Sequence, residues 1–132
     1  MTDRSDPAPA SAIDRRLRQV RAGLDRVDPA DLAGELAAGA LLVDIRPEAD
    51  RRADGELPGA VVVERIHLEW RLDPTSPDRL PQVGADDRVI VFCNEGYASS
   101  LAAATLRELG VARATDLAGG FRAWRALDPH TT

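Results

Sequence analysis

Lysine is missing from this chain of 132 residues, and all 17 basic residues are arginine. That excludes Schiff-base chemistry and the phosphate loop that ends in Gly-Lys-Ser/Thr. Cysteine occurs once, so no internal disulfide can form, and a reducing compartment, the cytoplasm, is the expected setting. One Cys and two His, at 67 and 130, are too few for the usual structural zinc site, and no metal is expected. Aromatics make up only 4%, which leaves Leu, Val, Ile and Ala to fill the core. No apolar run approaches the roughly 20 residues that cross a bilayer. The opening "MTDRSDPAPASA" has no apolar centre, so it does not read as a signal peptide. The formal net charge of -5 argues against nucleic acid or an anionic membrane as a partner.

What is present suits one compact domain with a normal core. Residues 1–12 are rich in Pro, Ala, Ser and Asp and are expected to be a disordered tail. Ile13, Leu17, Val20, Leu24 and Val27 recur in steps of four and three, which predicts an amphipathic helix over 13–27. Arg15, Arg16, Arg18, Arg21 and Arg26 fall off that stripe or at its margin and read as solvated. A short dimer seam is the alternative, with too few heptads to carry it. A domain over 28–128 follows. "DPADLAGELAAG" is a helix capped by Asp28, with Pro29 at its first position and Gly39 at its exit. "ALLVDI", "GAVVVE" and "DRVIVF" are short apolar strands of the type buried on both faces, and "ARATDL" is a weaker fourth. Between them lie helical stretches at "PEADRRADG", "RIHLEWRL", "YASSLAAATLRELG" and "GGFRAWRAL". On "YASSLAAATLRELG" the predicted apolar side is Leu101, Thr105, Leu106 and Leu109; on "GGFRAWRAL" it is Phe121, Trp124 and Leu127. Alternating strands and helices predict an α/β fold, with a small, largely parallel sheet flanked by helices on both faces.

Ligands of such sheets bind outside the carboxyl ends of the strands. The only cysteine, Cys93, sits there, in "VIVFCNEGYASS". Gly96 permits a tight loop, and the following helix start aims backbone N–H groups inward. Those donors favour a thiolate, the nucleophilic form of a cysteine. On position alone, an inert core thiol is an equal reading, since free Cys is among the most buried residue types.

Three stretches, in order, resemble the signatures of the rhodanese-like (sulfurtransferase) family. "LLVDIRPEADRRADGELPGAV" resembles an Asp-x-Arg strand end followed by a Gly-His-Ile-Pro-Gly-Ala turn. "VIVFCNEGYASSLAAATLRELG" resembles the strand, cysteine loop and helix, and "DLAGGFRAW" the closing Gly-Gly-aromatic-x-x-Trp pattern. The resemblance runs from about Pro29 to Leu127. It implies that Cys93 takes a sulfane sulfur from thiosulfate or a per- or polysulfide donor. The persulfide would be held by the N–H groups of Asn94, Glu95, Gly96, Tyr97, Ala98 and Ser99, then passed to a thiol, cyanide or an acceptor protein. No cofactor is implied. Family members often carry Arg after the Cys and Arg or Thr near the loop's end; here stand Asn94 and Ala98, and Glu95 adds negative charge. Arg65 and His67 are candidates for positive charge at the rim, against the plainer reading of a solvated pair. Asp44 and Arg46 stand at a strand end beside the site, with a structural tie as the plainer role. Cysteine-dependent phosphatases need an Arg six residues after the Cys; that position is Ser99. A binding or regulatory module, or a redox-sensing cysteine, remains the alternative to sulfur transfer.

Overall fold

The computed structural model describes residues 10–127, so residues 1–9 of the predicted tail lie outside the described residues, while Ser11 and Ala12 already belong to the first helix as its cap and first residue. Its elements alternate as predicted: α1 (Ala12–Ala22), α2 (Leu32–Ala37), β1 (Leu41–Asp44), α3 (Glu48–Asp54), β2 (Val61–Val62), α4 (Leu68–Leu72), β3 (Arg88–Phe92), α5 (Ala98–Glu108), β4 (Arg113–Asp116) and α6 (Gly120–Leu127). Single 3-10 turns at Pro29–Asp31 and Arg65–His67 lead into α2 and α4. The strands form one parallel sheet in the order β2-β1-β3-β4.

β1 and β3 are buried on both faces, with successive side chains pointing to opposite sides. Val43, Val89 and Val91 pack with Leu68 and Leu72 of α4 and with Ala102, Ala103 and Leu106 of α5. Leu42, Ile90 and Phe92 face the other way, against Leu32 of α2 and Phe121 of α6. Each fully buried Leu or Phe is worth about 1.5–3 kcal/mol relative to exposure. The register sets Asp44 opposite Phe92, and Val91 opposite Asp116. The carboxyl ends of β1, β3 and β4 therefore finish level, at one edge of the sheet.

Four details differ from the sequence reading. The first helix stops at Ala22 rather than at Val27, because Gly23 closes it by donating to the Val20 carbonyl. Val27 instead lies beside β4, where it exchanges backbone bonds with Asp116 and Ala118. The "GAVVVE" strand shrinks to Val61–Val62, and Val62 is exposed, because β2 is an edge strand with a single neighbour. On α5 the buried residues are Ser99, Ser100, Ala102, Ala103 and Leu106, whereas Leu101, Thr105 and Leu109 are half-buried. Small side chains let this helix lie close between the sheet and its neighbours. On α6, Phe121 is buried but Leu127 is exposed.

Candidate active site

Cys93 follows β3 directly, and the loop from 94 to 97 returns the chain to the start of α5. The thiol is half-buried. The Gly96 N–H donates to Cys93 Sγ at 3.2 Å. What holds the loop in this shape is the fate of its carbonyls, three of which are bound from outside. Cys93 O accepts from Phe121 N at 2.8 Å, and Asn94 O from Arg122 N at 3.0 Å. Both donors lie in the first turn of α6, where N–H groups have no partner within the helix. Gly96 O accepts from Arg21 Nη2 at 2.7 Å and from Arg26 Nη2 at 3.0 Å. With these carbonyls turned outward, the loop offers N–H groups to its inner side, the arrangement that favours an anion.

Two glycines make this packing possible. Gly96 has φ of +86°, and a Cβ there would stand 2.8 Å from Gly119 N. Gly120 has φ of +66°, and a Cβ would come within 2.4 Å of Cys93 O. Any larger residue at 120 pushes α6 off the cysteine loop.

Ion pairs flank the loop on two sides. From the end of β1, Arg46 makes a two-pronged contact with Asp44, Nε to Oδ1 at 2.9 Å and Nη2 to Oδ2 at 2.7 Å. Both residues are 1% exposed. The Arg46 guanidinium lies 4.3 Å from the centroid of the Phe121 ring. It also donates to Gly55 O and, at 3.1 Å, to Asn94 Oδ1. Asn94 in turn donates to Asp54 at 3.0 Å. On the other side, Asp116 at the end of β4 is fully buried. It accepts from the hydroxyls of Ser99 and Ser100, each at 2.8 Å, and from Arg26 Nε at 2.9 Å. Arg21 Nε reaches Ser100 Oγ at 3.0 Å.

The structure thus brings Cys93 through Ser99 together with Asp44 and Arg46. Glu95, Tyr97 and Ala98 are exposed on the loop's outer rim. Glu95 lies 3.7 Å from Arg122, and the Arg21 guanidinium lies 5.6 Å from the Tyr97 ring centroid. Arg65 is engaged by Glu69, Nη1 to Oε1 at 2.8 Å, and His67 is exposed. Among the described residues neither makes a hydrogen bond or ion pair with residues 93–99. Ser99, where a phosphatase would need its Arg, turns its hydroxyl to Asp116 instead. The sequence reading treated Arg21 and Arg26 as solvated. Both are half-buried against the loop; Arg21 lies in the last turn of the helix and Arg26 past it, and neither position carries any sign of a partner 70 or more residues away.

Residues 28–127 match the family described as the rhodanese-like domain. The chain belongs to that family. It is 33% identical over 104 residues to the thiosulfate sulfurtransferase GlpE of Stutzerimonas stutzeri, covering 79% of this chain and 87% of that protein. It is also 33% identical over 103 residues to a sulfurtransferase of Allochromatium vinosum, covering 76% of this chain and 88% of the relative. Among solved structures, the human single-domain sulfurtransferase superposes with a TM-score of 0.65 at 28% identity, over 76% of this chain and 95% of its own. A Rhodopseudomonas palustris protein of unknown function, described as a possible tyrosine phosphatase, gives a TM-score of 0.79 at 29% identity. That match covers 92% of this chain and 95% of the other. The rhodanese-like match begins at residue 28, so α1, Arg21 and Arg26 stand outside it. No helix among the described residues is long and apolar enough to cross a membrane.

Proposed function

We propose that this rhodanese-like protein is a sulfurtransferase whose Cys93 carries the sulfur. The observation that supports the reading is the Gly96 N–H on Cys93 Sγ, inside a loop whose carbonyls are bound from outside. The Cys93 thiolate attacks the outer sulfur of thiosulfate or of a per- or polysulfide. A new S–S bond forms, the donor's own S–S bond breaks, and sulfite or a shortened sulfide leaves with the electron pair. The terminal sulfur of the resulting persulfide is negative and sits among the loop's N–H groups. An acceptor nucleophile (cyanide, a small thiol or the thiol of an acceptor protein) then attacks that sulfur and returns Cys93 as thiolate. The two half-reactions give ping-pong kinetics. A reducing compartment such as the cytoplasm suits a lone thiol that must be regenerated.

Incubation with thiosulfate, and separately with polysulfide, followed by intact mass measurement tests this. A one-sulfur adduct that cyanide removes, and that Cys93→Ser lacks, is expected. Absence of the adduct with both donors would replace this reading by that of a binding or regulatory module.

A further inference from the structure

We infer that Arg21 and Arg26, which precede the family-matched residues, are positioning residues of the Cys93 loop that act through the Gly96–Tyr97 peptide unit. The inference rests on the reading of Cys93 as the sulfur-carrying thiolate. Both guanidiniums donate to Gly96 O, at 2.7 and 3.0 Å. In a planar trans peptide the N–H of the next residue points opposite to the carbonyl. Gly96 O faces the two arginines, so Tyr97 N–H is turned to the inner side of the loop, where Gly96 N–H already meets Sγ. Positive charge on the oxygen of a peptide polarises its N–H and makes it a stronger donor to an anion. The loop has no basic side chain of its own from 94 to 99. Two guanidiniums behind it supply that charge through one peptide bond, without occupying the space where a donor must approach.

Their own positions are fixed separately, which separates orientation from simple attraction. Arg26 is held by Asp116 through Nε and Nη2, at 2.9 and 3.2 Å. Arg21 is held by Ser100 Oγ and extends from α1, whose Leu17 is buried. Asp116 and Ser100 therefore aim the cations, and the cations aim the loop. A Cβ at position 96 would lie 3.2 Å from Arg26 Nη2, so glycine there also leaves room for the clamp.

The test compares Arg21→Gln, Arg26→Gln and Arg21→Lys with the wild-type full chain. Three readouts are followed: alkylation of Cys93 by iodoacetamide at neutral pH, sulfite release in a single thiosulfate turnover, and the Tyr97 amide proton shift by NMR. Each Gln variant is expected to slow alkylation and sulfite release by about three- to tenfold, the scale of one lost charge-assisted contact near an anion. The Tyr97 amide proton should move upfield, and Arg21→Lys should recover most of both rates. If the Gln variants melt earlier but, while folded, alkylate at the wild-type rate with an unmoved Tyr97 amide, the arginines only fasten α1 and the inference is overturned. Alkylation needs no sulfur donor. A wild type that forms no adduct would refute the sulfurtransferase reading alone, while the alkylation comparison would still decide the role of the arginines.

Discussion

The cysteine loop is gripped from two sides by ion pairs built on different plans. On the β1 side, Asp44 and Arg46 are two residues apart, both almost wholly buried, and their grip on the loop is through the side chain of Asn94. On the β4 side, Asp116 meets Arg26 across 90 positions of chain, and the grip is on a backbone carbonyl. The first clamp depends on which residue follows the cysteine. The second grips a carbonyl, which every residue has, but it needs glycine at 96 and the hydroxyls of Ser99 and Ser100 around it. A loop with no basic side chain from 94 to 99 is thereby held in part through its backbone.

The contrast is measurable. Asp44→Ala leaves the Arg46 guanidinium buried without its counter-charge, and thermal or denaturant unfolding should show a loss of about 3–5 kcal/mol. Asp116→Ala should cost less, about 2 kcal/mol: Arg26 is 21% exposed and can hydrate, and Ser100 Oγ still has Gly96 O at 3.3 Å. An equal or larger cost for Asp116→Ala would mean that the second clamp, not the first, anchors the fold.

The smallest effect belongs to Asp25, next to Arg26. Partial burial pushes its carboxyl up, but the hydrogen bond and charge of Arg88, helped by Arg107, outweigh this and hold it below its ordinary value of 3.8. A carboxyl depressed in the folded state stabilises the fold above its unfolded pKa, and that contribution fades as pH falls below about 3.8. Asp25→Asn should therefore melt slightly below wild type at neutral pH, with the gap closing in acid. A gap that persists at low pH would assign the difference to something other than this charge.

Much of this architecture was legible from the chain. The short apolar runs of the strands and the Asp28-Pro29 start of the second helical segment gave the alternating elements, because each is written in adjacent residues, although Asp28 caps the 3-10 turn and α2 begins only at Leu32. The cysteine loop was legible for the same reason. Arg21 and Arg26 were not, because a helix stripe shows which residues face away from it but not what they meet. Helix α1 also ended sooner than its apolar spacing implied, since Leu24 and Val27 keep the period while the backbone has already turned at Gly23. On α5 the apolar stripe found the buried Leu106 but missed the equally buried Ser99, Ser100, Ala102 and Ala103.

The helix ahead of the family-matched region has a practical meaning for where the working unit begins. A chain trimmed to residues 28–127 would keep every recognisable signature and the whole sheet. It would also lose both cations on Gly96 O and leave the Asp116 carboxylate, fully buried in the longer chain, with two serine hydroxyls and no arginine. The segment that donates to the Gly96 carbonyl lies upstream of the boundary that the family match draws.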